Sequence, residues 1–135
     1  MSTYQHVLLA IDYSRQNQII ADKAQQIAAQ NNAKLSILHV IEHLTNDNEH
    51  LMADLLDAEQ STLAEFAGSL GVVKENQWLR AGVPAKEIVA LAQEQAVDLI
   101  VIGAHNHQGI LSLLGSPSSD TLQRAKCDLL SVHLN

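Results

Sequence analysis

Basic residues, aromatic residues and cysteine are all scarce in this chain. Eight Lys and Arg face fifteen Asp and Glu, a formal net charge of -7. A surface this acidic repels polyanions, so neither nucleic acid nor an anionic membrane is expected as a partner. Aromatics make up 3% of the sequence, so the core must be built from Leu, Ile, Val and Ala, and an aromatic binding platform is disfavoured. The lone cysteine, Cys127, allows no internal disulfide and fits a reducing compartment. The opening stretch MSTYQHVLLAID has no basic run followed by a long apolar one. No signal peptide, no bilayer-spanning segment and a cytoplasmic location are therefore expected.

What is present is an ordinary globular balance: 47% hydrophobic residues in 135, the size of one domain spanning 1–135. Short apolar runs alternate with stretches of helical spacing. His6–Ile11 (HVLLAI) is nearly continuous in apolar residues, the pattern of a strand buried on both faces. Ser14 is a candidate cap for a helix running to about Gln30, with Ile20, Ala24, Ile27 and Ala28 on its buried stripe. Ala33–Ile41 reads as a second strand. A long helix over Asn48–Leu70 buries Leu56, Leu63, Phe66, Ala67 and Leu70, and Gly71 is placed to end it. VKENQWLRAG, residues 73–82, is a more polar strand, expected at a sheet edge. A helix with Pro84 in its first turn follows, with Ile88, Leu91 and Ala92 inward. Then come a buried strand over Val97–Ala104, a glycine- and serine-bearing loop, a two-turn helix ending near Ala125, and a last strand from Cys127.

This alternation specifies an α/β fold: a five-stranded parallel sheet with helices on both faces and right-handed crossovers. Ligands of such sheets sit beyond the carboxyl ends of the strands, where strand order reverses. Asp12, Val40 and Gly103 stand at those ends.

Three longer segments carry a family resemblance. HVLLAIDYS, AGVPAKEIVALAQEQAVDLIVIGAH and GSPSSDTLQRAKCDLLSV together resemble the universal stress protein family, in order and across essentially the whole chain. The resemblance implies a Rossmann-like sheet of order 3-2-1-4-5 that commonly dimerises through its last strand. One branch of that family binds ATP through a loop of Gly, two residues, Gly, nine residues, Gly, then Ser or Thr; the UspA-like branch lacks the loop. Here Gly103 matches the first glycine, Asn106 stands at the second, and Gly115 and Ser116 close the loop after eight residues rather than nine. Cys127–Asp128 stands where the binding branch has Cys-Pro. On this resemblance Ala10, Asp12, Val40, Gly103, Asn106, Gly109, Gly115 and Ser116 outline a nucleotide crevice, with Asp12 near the ribose and Val40 against the adenine.

The loop chemistry is mixed. Ser116 followed by Pro117 reads as a helix start whose free N–H groups can hold an anion. Asn106 tolerates left-handed backbone better than most residues but fills space that glycine leaves open. No cation lies between Gly103 and Asp120, so a monophosphate such as AMP asks less of this loop than ATP does. Asp12 is equally a cap of the first helical turn, and Val40 equally plain core. His105 and His107 are too few ligands for a good metal site. No general base neighbours Ser116, Ser118 or Ser119, so a nucleophilic triad has no support. Cys127 reads as a small buried hydrophobe, and Trp78 as a partial surface anchor.

The function expected is therefore that of a stress-response binding or regulatory protein, not an enzyme, acting as a homodimer through its C-terminal strand with a degenerate adenine-nucleotide loop. The alternatives are a functional AMP- or ATP-binding protein with slow hydrolysis and, less compatible with the length, a subunit related to electron-transfer flavoproteins.

Overall fold

A computed structural model describes residues 4–11, 17–42, 49–103 and 127–132. Its elements in chain order are β1 (His6–Ile11), α1 (Asn17–Asn31), β2 (Lys34–Glu42), α2 (Glu49–Ser69), a 3-10 turn (Lys74–Asn76), β3 (Gln77–Gly82), α3 (Pro84–Glu94), β4 (Leu99–Gly103) and β5 (Asp128–Val132). The strands form one sheet in the order β3-β2-β1-β4-β5, and every neighbouring pair is parallel. The expected architecture and strand order hold. The Ser14 cap, the loop after Gly103 and the helix expected before β5 lie outside the described residues.

The apolar runs become strands because both faces of the sheet are covered. Val7, Leu9, Ile37, Leu99 and Val101 pack with Ile20, Ala21, Ala24 and Ala28 of α1 and with Leu63 and Ala67 of α2. Leu8, Ala10, Leu38, Val40, Ile100 and Ile102 pack instead with Ile88, Leu91 and Ala92 of α3. Alternate residues of each strand thus enter opposite halves of the core. The three alanines of α1 let that helix lie close on the sheet.

The polar third strand does sit at a sheet edge, but it starts later than its sequence suggests. Lys74–Asn76 forms a 3-10 turn, and the ladder begins at Gln77, opposite Ile37. The run KEN has no apolar side chain to place on either face, and a local turn satisfies its backbone instead. On this edge the Arg80 guanidinium lies 5.6 Å from the centre of the Trp78 ring. The same guanidinium donates two hydrogen bonds to Glu94, at 2.7 and 3.1 Å. That contact holds the Glu94 carboxyl below the usual carboxylate range. Trp78 also packs against the α3-side core, the anchoring role expected of it.

α1, α2 and α3 all end in the same motif. After α2, Val72 N–H donates to the Ala67 carbonyl (3.0 Å) and Gly71 N–H to Gly68 (3.1 Å), with Gly71 at φ +74°. After α1, Ala33 donates to Ala28 and Asn32 to Ala29, with Asn32 at φ +53°. After α3, Val97 donates to Ala92 and Ala96 to Gln93, with Ala96 at φ +55°. This six-to-one, five-to-two pattern needs a left-handed residue, for which Gly is best, Asn acceptable and Ala poor. Ala96 is exposed, so its methyl offers no packing in return. Ala96→Gly is expected to raise unfolding stability by about 0.5–1 kcal/mol, read as a higher denaturant midpoint at unchanged slope.

The amino ends of the strands are tied together by polar groups. The Asp98 carboxylate accepts from the backbone N–H groups of Gln5 (2.8 Å) and His6 (2.9 Å), while Asp98 N–H donates to the His6 carbonyl at 3.0 Å. The Tyr4 hydroxyl donates to Asp128 at 2.7 Å, linking the entry to β1 with β5.

The His6 ring is 6% exposed. Its Nδ1–H donates to the Gln95 carbonyl (3.0 Å), so Nε2 accepts from the Ser36 hydroxyl (2.7 Å). Burial lowers the ring's pKa, with Lys34 adding to the effect and the Gln95 carbonyl and Asp98 opposing it. In the unfolded chain the ring takes its proton near pH 6.5. Below that pH the unfolded state binds more protons than the folded one, and stability falls until the lowered folded value is passed. The denaturant midpoint is expected to drop as the pH falls below about 6.5, and His6→Gln to flatten that slope.

Candidate functional site

The crevice expected beyond the strand carboxyl ends lies where β1 stops at Ile11, β2 at Glu42 and β4 at Gly103. Three of the residues assigned to it are described. Ala10 is 2% exposed and Val40 9%, and both side chains sit in the α3-side core beside Leu38 and Ile102. Gly103 is buried and pairs with Val132 of β5. β4 lies directly beside β1 through Leu9↔Val101, so the carboxyl ends of β1 and β4 adjoin at the point where strand order reverses. Asp12, Asn106, Gly109, Gly115 and Ser116 lie outside the described residues, as do His105 and His107.

The residues next to Ala10 and Val40 face the other way. Ile11 and His39, paired across β1 and β2, line a cavity of about 190 Å³ together with Asn17, Glu59, Thr62, Leu63 and Phe66. It lies between the sheet, the first residue of α1 and the middle of α2. Leu63 is 2% exposed and, with Ile11 and Phe66, gives the cavity apolar walls. Its polar side is His39, whose Nδ1–H donates to the Ile11 carbonyl at 3.2 Å and whose Nε2 lies 3.4 Å from Glu59 Oε2. The two side chains are 5% and 15% exposed. This cavity opens the site toward α2, a side that the expected crevice did not include.

His39, Glu59 and Asn17 were not singled out from sequence, yet two carried a signal. His39 interrupts the apolar strand KLSILHVIE. Glu59 falls on the spacing 56, 59, 63, 66, 70 that marks the buried stripe of α2, and a carboxylate on such a stripe needs a partner. Asn17 had none, since nothing in its spacing sets it apart from the other polar residues of α1.

Other polar groups are committed elsewhere. Burial pushes the Cys127 thiol up to about 12, with Asp128 and Asp98 adding to the shift. It is thus a poor nucleophile at neutral pH. Among the described residues, no three His, Cys, Asp or Glu gather as a metal site would require. Among them, too, no helix is long and apolar enough to cross a membrane.

Comparison with known proteins agrees with this architecture. The model of the universal stress protein family matches residues 3–133. Universal stress protein A homolog 1 of Coxiella burnetii is 37% identical, with 96% of each chain covered. A crystal structure of a universal stress protein in complex with cAMP superimposes with a TM-score of 0.66 at 32% identity, covering 99% of this chain and 100% of that one. UspA from Lactobacillus plantarum shares the fold, with a TM-score of 0.69 at 19% identity over 98% and 99% of the two chains. Sequence, strand order and these relatives agree: the chain belongs to the universal stress protein family.

Proposed function

We propose that this protein is a non-catalytic binding module for an adenine nucleotide of low charge, cAMP or AMP in preference to ATP. The relative bound to cAMP carries the proposal, since it matches this chain over 99% of its length at 32% identity. The site would be the crevice bordered by Ile11 and Gly103, with the cavity under α2 beside it. Charge decides among the nucleotides. The chain carries a net -7, and no Lys or Arg lies between Gly103 and Asp120. Phosphate must then be held by backbone N–H groups and a helix start. A cyclic monophosphate brings one negative charge and a triphosphate several. Hydrolysis needs charge compensation, and the absence of Lys and Arg between Gly103 and Asp120 argues against it.

The protein acts as a homodimer in this reading. β5 is the last strand of the sheet, with β4 on one side and no described strand of this chain on the other. An apolar edge of that kind is stabilised by pairing across a twofold axis.

Isothermal titration with cAMP, AMP and ATP, with and without magnesium, tests the assignment. Affinity is expected to fall in that order, with little help from magnesium for the monophosphates. Absence of binding by all three at millimolar concentration rejects nucleotide recognition. Sedimentation of a monomer at micromolar concentration rejects the dimer.

A further inference from the structure

The amino ends of the strands, opposite the crevice, carry a second cavity of about 370 Å³. Its floor is apolar. Leu99, 2% exposed at the start of β4, meets Ile27 of α1 and Leu130 of β5, all in the half of the core beneath α1. Its rim is polar and includes Tyr4, Gln30 and Asp128. Asn31 also lines it but is committed to the fold: Oδ1 accepts from Tyr4 N–H at 3.2 Å and Nδ2 donates to the Ile27 carbonyl at 2.8 Å. The cavity thus lies on the α1-side face of the sheet, whereas pairing with a second copy uses the outer hydrogen-bonding edge of β5.

Three features give this cavity one electrical sign. The Tyr4 hydroxyl donates to Asp128 Oδ2 at 2.7 Å. That commits the hydroxyl's only hydrogen, so its oxygen and Asp128 Oδ1 remain as acceptors. The bond to Asp128, burial and the charges of Asp128 and Asp98 all push the Tyr4 pKa up, so added negative charge is disfavoured there. Gln30 and Asn31, finally, end α1, where the helix dipole is negative and the last turn has no basic side chain to answer it. Among the described residues lining the cavity, none is basic.

The geometry points to this cavity as a binding site for a small primary amine in its ammonium form, carried on an apolar body about the size of one ring. An ammonium group has three hydrogens. Asp128 Oδ1, the Tyr4 hydroxyl oxygen and the Gln30 amide oxygen are three acceptors on the rim. The apolar body covers Ile27, Leu99 and Leu130. An engineered apolar cavity of roughly 150 Å³ holds benzene, so about 370 Å³ accommodates a ring with a short arm. A carboxylate or phosphate placed here meets like charge at Asp128 and at the helix end. This site is separate from the nucleotide crevice and does not depend on that reading.

The test titrates phenethylammonium, its neutral counterpart phenethyl alcohol and the anion phenylacetate into the full chain, followed by amide NMR. The ammonium is expected to bind about tenfold more tightly than the alcohol, shifting the amides of Tyr4, Asn31, Leu99 and Leu130. Phenylacetate should shift none of them. The amides of Ile11 and Val40, at the other end of the sheet, should stay in place throughout. Asp128→Asn keeps an acceptor for Tyr4 and removes the charge, so it should bring the ammonium close to the alcohol and leave the alcohol unchanged. Tyr4→Phe, which keeps the carboxylate, should lose a smaller part of the preference. Equal affinity for ammonium and alcohol in the unaltered chain overturns the proposal. So does a preference that survives in Asp128→Asn, or an absence of shifts at millimolar ammonium. Shifts confined to Ile11 and Val40 put the amine in the crevice instead and overturn it as well.

Discussion

Leu9→Ala should lower unfolding stability by about 2–5 kcal/mol and the thermal midpoint by on the order of 10 °C. Leu9 is fully buried on the central strand, opposite Ile37 of β2 and Val101 of β4. Its side chain enters the half of the core closed by α1 and α2. The loss has two parts: the transfer of the side chain from water, and the cavity left when its surroundings cannot collapse. Collapse is hindered here because β1 is hydrogen-bonded on both sides and three of the four buried α1 residues are alanines, which have little to extend into the gap. With a total stability of about 5–15 kcal/mol for a domain, this one change consumes a large share. Ile19→Ala is the control. Ile19 is 52% exposed on α1, and its loss should cost no more than about 0.5 kcal/mol. Equal midpoints for the two variants in urea would show that Leu9 is not the core residue described.

The second large effect is expected at the opposite chemical extreme. Asp98→Ala removes the acceptor of two backbone N–H groups at the start of β1. Bonds to a charged group are stronger than neutral ones, but Asp98 is partly exposed and water replaces part of what is lost. A cost of about 2 kcal/mol follows. Asp98→Asn retains one acceptor oxygen and should cost about half as much. Amide hydrogen exchange gives a local test: the Gln5 and His6 amides should exchange faster in Asp98→Ala, while those of β2 away from the clasp keep their rank. Uniform acceleration throughout the sheet would mean that Asp98 acts only through global stability.

Much of the fold was legible because its physical cause is local. VLLAI and LIVIG carry no polar residue on either face, so each reads as a strand covered twice, and their alternation with helical spacing points to helices above and below a parallel sheet. Gly71 announced the end of α2 because left-handed backbone suits glycine. Ala96 sends no such signal: it takes the same conformation at a position where sequence preference argues against it. The 3-10 turn at Lys74–Asn76 was read as strand because a polar edge strand and a polar turn share a composition. The site was legible only where strand order dictates it. Chain direction puts Asp12, Val40 and Gly103 at the sheet's carboxyl end in the sequence reading, but which side of β2 borders a cavity depends on the packing of α2, and that is a tertiary fact. Hence Val40 was singled out, while His39, one residue earlier and turned toward the cavity, was passed over. Asp12 and the loop that carries Asn106, Gly109, Gly115 and Ser116 lie outside the described residues, so their reading still rests on family resemblance and backbone chemistry.

The clasp between Asp98 and the start of β1 also bears on synthesis. These partners are separated by 92 positions, and β1 is the middle strand of the sheet. At about 5–20 residues per second on the ribosome, an apolar segment made among the first must wait on the order of ten seconds for the strand that shields its second edge. During that interval β2 pairs with one edge of β1 and the other edge stays open, so the nascent chain exposes an unpaired apolar edge early and for long. Slowing translation before β4 should therefore increase chaperone capture and aggregation, whereas the same delay after β4 should matter little.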